Sequence, residues 1–180
     1  MGAHSWARSI ARALRDQGLP VLLVDTDLEK VDAARAEGFA IYHGSIISED
    51  TLEELELDGI ECLLALTYND EVNALAALHF AEVFGRANVY QLAPRTSARE
   101  VPRYLRGRIL FGPEMTYTHL SELFSQGASI QAVQGTPELD PATVIPLFVV
   151  TANKKVLPFT LNRAPRPQPG DTLIVIVKAK

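Results

Sequence analysis

The run Val21-Leu22-Leu23-Val24 constrains this chain most. It is continuously apolar, β-branched at both ends, and closed by the polar Asp25-Thr26-Asp27. A strand buried on both faces reads this way, and such strands belong to parallel sheets. The surrounding segments repeat the arrangement. Before the run, Trp6, Ile10, Ala13 and Leu14 recur at helical spacing from Ser5 to Asp16, and Gly18 and Pro20 follow as stop signals. After it, a helix is expected from Leu28 to Glu37, stopped at Gly38, then a strand at Phe39-Ala40-Ile41-Tyr42. A short helix from Ser48 to Leu57, a buried strand from Glu61 to Leu66, a long helix through Phe84 and a strand from Asn88 to Leu92 complete the series. Strand and helix alternating through short loops give parallel strands with right-handed crossovers. The expected fold class is α/β: a Rossmann-like parallel sheet with helices on both faces.

The pattern changes after Leu92. Pro94 through Arg108 is basic, with Arg95, Arg99, Arg103, Arg106 and Arg108, and reads as a solvated helix face and loop rather than an anion site. Ile109-Leu110-Phe111 is expected as a short edge strand, and Pro113 opens a helix to about Gln126. From Ala128 the pattern is β. Ile130 to Val133 alternates, Pro146–Val150 and Lys155–Thr160 flank a hairpin turn at Ala152-Asn153-Lys154, and Thr172 to Val177 is a strong strand. The expected division is a Rossmann-like domain over 1–112, then a helix and small β-rich subdomain over 113–180.

Composition narrows the function. The net charge is −5, from 17 basic and 22 acidic residues, which argues against a nucleic-acid binder that would need a basic stripe. The single cysteine, Cys62, allows no internal disulfide and no cysteine-based zinc cage; it reads as a small buried hydrophobe in a reducing compartment. No run approaches the roughly 18 apolar residues of a membrane span, and no apolar segment follows the N-terminus as in a signal peptide. The expectation is a cytoplasmic polypeptide with no membrane insertion of its own.

Three features point to a ligand. Gly2-Ala3-His4-Ser5-Trp6-Ala7 leads into the first helix. A dinucleotide fingerprint puts glycines at the first, third and sixth of such positions, here Gly2, His4 and Ala7. Gly2 suits the tight turn and Ala7 close helix–sheet packing, whereas His4 places a ring where backbone should meet pyrophosphate. Second, Asp25 ends the next strand at the spacing from which an acid accepts ribose hydroxyls. A carboxylate there disfavours a 2′-phosphate, so NAD or an adenosine nucleotide is preferred over NADP. The alternative for Asp25 is a loop acid capping the following helix, although Asp27 suits that cap better. Third, Gly44-Ser45 and Thr67-Tyr68-Asn69-Asp70 follow later strands, where ligands bind in open α/β sheets. Thr67 and Asn73 could touch an adenine or ribose edge; each taken singly also fits ordinary turn and cap chemistry. No nucleophile elbow and no histidine metal spacing occurs among His4, His43, His79 and His119, and His79 beside Phe80 reads as a packed histidine.

A Rossmann sheet leads into its glycine turn from a central strand, and here Gly2 follows only Met1. The expectation is either a fragment cut inside that strand or neighbouring strands that close the gap differently, with apolar surface exposed there.

On Gly-Ala-His-Ser-Trp-Ala at 2–7, Val-Leu-Leu-Val-Asp-Thr-Asp at 21–27, Tyr-His-Gly-Ser at 42–45 and Leu-Thr-Tyr-Asn-Asp-Glu-Val-Asn at 66–73, the chain resembles the TrkA-N or RCK-type regulatory domain of K⁺ channels and transporters. Ile-Pro-Leu-Phe-Val-Val at 145–150 and Pro-Gly-Asp-Thr-Leu-Ile-Val at 169–175 resemble the closing strands of its C-terminal subdomain. More narrowly, it looks like the cytosolic C-terminal region of bacterial Na⁺(K⁺)/H⁺ antiporters. The resemblance implies a non-enzymatic sensor at the inner face of the membrane. Such a sensor forms homodimers, takes NAD(H), AMP or ATP or no ligand at all, and has a membrane cation transporter as partner. Gly2, Ala7, Asp25 and Thr67 fall on its nucleotide-site positions. The competing readings are a fragment of an NAD-dependent oxidoreductase and a degenerate Rossmann domain used only for dimer assembly.

Overall fold

Strand β1 (Leu22–Asp25) lies parallel to β2 (Ala40–His43), with Leu22 opposite Ala40 and Asp25 opposite His43. Strands β3 (Leu63–Ala65), β4 (Val89–Gln91) and β5 (Arg108–Ile109) form a second parallel set in that order. The computed structural model describes residues 1–48, 51, 54–95, 106–137 and 139–179. Residues 49, 50, 52 and 53 of the helix expected from Ser48 to Leu57, and residues 96–105 of the basic run, lie outside the described residues.

The helices sit on both faces, and the side-chain alternation of β1 shows how. Leu23 packs with Ala11 of α1 (Ser5–Asp16) and Ala34 of α2 (Leu28–Ala36). The next residue, Val24, points the other way and packs with Ala76 and Phe80 of α3 (Asp70–Phe84). Both faces of the strand are therefore dry, which is why its sequence is apolar without alternation.

Helix α4 (Tyr117–Ser125) starts four residues later than Pro113 suggests. The hydroxyl of Thr116 accepts the His119 N–H and caps it. Pro113 and Glu114 form a turn ahead of that cap, and Phe111 and Gly112 before them hold positive φ.

The C-terminal strands β6 (Ser129–Gln134), β7 (Val144–Val150), β8 (Val156–Pro158) and β9 (Thr172–Val177) form an antiparallel sheet ordered β6-β9-β7-β8. Phe148, Val150, Ile174 and Ile176 face inward and share one core with Trp6, Ile10 and Leu14 of α1 and with Leu120 and Leu123 of α4. Helix α1 is thus clamped between the parallel strands and the antiparallel sheet. Two further links join these layers: Lys154 Nζ donates to the Gln17 carbonyl at the end of α1 (2.7 Å), and the Phe111 N–H donates to the Phe159 carbonyl (2.8 Å). No helix among the described residues is long and apolar enough to cross a membrane.

Candidate functional site

The carboxyl ends of β1, β2 and β3 open onto one mouth, and the turn before α1 crosses it. Gly2 adopts φ +93°, which a side chain would strain, and a Cβ there would press on the Leu66 carbonyl at 3.2 Å. Its N–H donates to the Val24 carbonyl (2.9 Å). The next N–H, from Ala3, donates to Asp25 Oδ2 at 2.7 Å, while Asp25 Oδ1 accepts the Asp27 N–H at 3.0 Å. The Gly44 N–H donates to the Asp25 carbonyl (3.0 Å), and a Cβ on Gly44 would collide with the ring of Tyr42. Gly2, His4, Asp25 and Gly44 are therefore one connected group, with Ala7 buried one turn into α1. Leu66, the residue before Thr67, joins this group through His4.

Thr67 and Asn73 bond each other across the start of α3. The Thr67 hydroxyl donates inward to Asn73 Oδ1 (2.7 Å), and Asn73 Nδ2 donates back to the Thr67 carbonyl (2.9 Å). Asn73 is buried and bonds Thr67, in line with the turn chemistry that each residue singly suggests. Asp25 does not cap α2; Asp27 does, by accepting the Glu29 N–H. His79 is half-buried, its ring 5.8 Å from that of Phe80.

The TrkA-N domain family matches residues 1–105. This chain belongs to that family. No curated protein matches it in sequence. The NAD(P)-binding domain of an exopolyphosphatase-related protein from Archaeoglobus fulgidus shares 19% identity with a TM-score of 0.50, covering 69% of this chain and 90% of that one. A GsuK channel bound to NAD shares 14% identity with a TM-score of 0.51, covering 98% of this chain and 36% of that channel chain. At these identities the likeness is one of fold, and it is the Rossmann-like α/β fold expected.

In this TrkA-N domain the anion-binding end of α1 is occupied by the domain's own His4. Its Nε2 lies 2.8 Å from the Leu66 carbonyl and therefore carries the hydrogen, leaving Nδ1 to accept the Ala7 N–H at 3.4 Å. Burial pushes the imidazole pKa down to about 4, so the ring is neutral at ordinary pH. It packs 4.0 Å from the Trp6 ring and 5.1 Å from the Tyr117 ring, centroid to centroid.

Two residues at this mouth escape sequence reasoning. Tyr117 comes from α4, far along the chain, and spacing gives no sign that it meets His4. Lys30 pairs with Asp27 at 2.9 Å, which raises its pKa, and it also feels Asp25 and Tyr117. Its position three residues after Asp27 is a readable helix-pair signal. The mouth therefore offers a carboxylate with spare lone pairs at Asp25, one ammonium at Lys30 and an aromatic lip of Tyr117 and the exposed Tyr68. Such a set can accept sugar hydroxyls and stack against a flat ring. No group of three or more metal-ligating side chains occurs among the described residues.

Proposed function

We infer that this TrkA-N domain is a binding module: it senses an adenosine nucleotide and passes its occupancy to a membrane cation transport system, without chemistry of its own. The observation that carries this reading is the Asp25 carboxylate, which sits at the end of β1 and holds the Gly2-Ala3 turn through the Ala3 N–H at 2.7 Å. A nucleoside seated there would give its ribose hydroxyls to Asp25. Its phosphate would lie toward α1 and Lys30.

His4 ranks the ligands. A dinucleotide brings its pyrophosphate to the N-terminus of α1, where the imidazole now sits. A mononucleotide such as AMP or ATP makes less demand on that position, so it is placed ahead of NAD(H). Family membership supports the regulatory role, and the K⁺ or Na⁺/H⁺ transport setting at the cytoplasmic membrane face is part of this proposal. So is a homodimer, whose arrangement a ligand shifts only by its differential affinity for the two states. The absence of enzymatic chemistry is part of this proposal, supported by His4, which is neutral and hydrogen-bonded at both nitrogens.

The test is calorimetric titration with AMP, ADP, ATP, NAD and NADH, on the wild type and on Asp25→Asn shown to be folded. Saturable binding that Asp25→Asn abolishes sustains the proposal. A second reading, a domain that only scaffolds a dimer, draws on the internal engagement of His4, Asp25 and Thr67. Absence of binding by all five compounds would decide for it.

A further inference from the structure

The His4 ring closes the N-terminus of α1 from a position that the helix alone does not fix. As the cap it accepts one N–H, that of Ala7, through a long bond of 3.4 Å. Its firmer bond, 2.8 Å, runs to the Leu66 carbonyl beyond β3. Two aromatic rings enclose the rest of the imidazole. Trp6 lies 4.0 Å from it, and Tyr117 meets it nearly at right angles, 5.1 Å away. Both walls are set by α4. Trp6 is buried, donates from Nε1 to Ser121 Oγ at 3.1 Å and stacks on Phe124 at 6.2 Å, so it yields only if α4 does. Tyr117 is the first residue of α4, placed by the Thr116 cap, and is half-buried at the mouth, where it also meets the Tyr68 ring edge-on at 6.2 Å. Of the two walls, Tyr117 is the one beside the opening.

We propose that Tyr117 is a positioning residue that sets the ligand class of this mouth: its ring holds His4 over the first N–H groups of α1, so the site takes a mononucleotide and excludes the pyrophosphate of a dinucleotide. This rests on the reading of the mouth as a nucleotide site. A pyrophosphate needs the free N–H groups of α1, and the imidazole must turn away to release them. An edge-to-face ring pair of this spacing favours the closed position by roughly threefold to tenfold. The control therefore comes from outside the parallel layer. Helix α4 leads into the antiparallel sheet, and a shift of α4 that withdraws Tyr117 changes which nucleotide the mouth accepts. By reciprocity, a dinucleotide that displaces His4 must disturb Tyr117.

The experiment titrates AMP and NAD calorimetrically into the 180-residue protein and into Tyr117→Ala, Tyr117→Phe, His4→Gly and the double variant His4→Gly/Tyr117→Ala, each shown folded by circular dichroism. Tyr117→Ala is expected to tighten NAD roughly threefold to tenfold more than AMP. Tyr117→Phe, which keeps the ring, is expected to keep the wild-type ratio. Added to His4→Gly, Tyr117→Ala is expected to change that ratio no further. An unchanged ratio in Tyr117→Ala would overturn the proposal. An equal gain with and without His4 would overturn it too, because Tyr117 would then act on the ligand directly. A measurement without nucleotide tests the hold itself: proton NMR titration of the His4 imidazole. Burial is the first cause of its pKa of about 4, and loss of the Tyr117 ring should raise it toward the ordinary 6.5. A midpoint that stays near 4 would overturn the hold. Absence of binding by both compounds in every form would defeat the nucleotide reading and the ligand-class role with it, while the His4 titration still decides whether Tyr117 holds the ring.

Discussion

Lowering the pH should unlock the cap of α1, because His4 can serve it only as a neutral ring. Its Nε2–H donates to the Leu66 carbonyl at 2.8 Å, and its Nδ1 accepts the Ala7 N–H at 3.4 Å. A second proton would sit on Nδ1 and face the Ala7 N–H, donor against donor. Burial also opposes the charge, and it is the first cause of a pKa lowered from 6.5 to about 4. In the unfolded chain the ring takes its proton near pH 6.5, and in the folded chain only near 4. Between those values the unfolded state holds more protons. The stabilisation is therefore complete above pH 6.5 and is lost as pH falls toward 4. The gap from 6.5 to about 4, at about 1.4 kcal/mol per pH unit, amounts to about 3 kcal/mol. The assay is urea unfolding from pH 7.5 to 4 on the wild type and on His4→Asn, which keeps a capping acceptor but does not titrate. Carboxylate titrations shared by the two proteins cancel in the difference. The wild type should lose about 3 kcal/mol more than the variant over that range. Parallel stability curves would refute the argument.

Three further outcomes follow from the same geometry. His4→Gly frees the N-terminus of α1 and should tighten NAD about tenfold more than AMP, about 1.4 kcal/mol, in parallel calorimetric titrations; equal changes would reject the steric argument. Asp25→Asn leaves one amide oxygen for two N–H donors, Ala3 and Asp27, and should cost about 1–3 kcal/mol in urea unfolding, with an unchanged midpoint as the contrary result. Phe148→Ala removes a fully buried ring packed edge-on to Phe111 and should cost about 3–5 kcal/mol. Because Phe148 shares a core with Trp6 and Ile10, the variant should still melt in a single transition; a separately melting β-rich tail would contradict that.

Much of the fold is legible because local chemistry and burial agree. Val21 to Val24 is apolar without alternation since β1 is covered on both sides, and α1 ends where Gly18 permits positive φ. The capping role of Asp27 is readable for the same reason: the residue and its partner N–H lie within one turn. The helix expected from Pro113 starts later because proline fixes only its own φ, while the Thr116 cap decides where the helix begins. Asn73 is legible only in part. Its position after Thr67 suits a ligand contact, and only its tertiary burial turns it into the partner of Thr67. His4 is recognisable as a departure from a glycine fingerprint, but its bond to Leu66 and its packing on Tyr117 bridge distant parts of the chain. No sequence period encodes such pairings.

The turn at Gly2-Ala3-His4 is gripped from two sides, and this sets how the site can report its state. On the β1 side, the Val24 carbonyl and the Asp25 carboxylate hold Gly2 and Ala3. On the β3 side, Leu64 and Leu66 hold Met1, and the Leu66 carbonyl also holds His4. Among the described residues the two half-sheets make no ladder with each other, so this turn is a principal backbone tie between them. Any shift of one half against the other must strain or move it. The turn opens directly into α1, whose Trp6 Nε1 donates to Ser121 Oγ of α4 at 3.1 Å and whose last turn is capped by Lys154. A ligand on Asp25 that displaces His4 therefore acts first on α1, and α1 is the element that carries the displacement into the antiparallel sheet. A ligand that leaves His4 in place must bias the two arrangements through other contacts, such as those to Asp25 and Lys30, because it shifts the equilibrium only by its differential affinity for them.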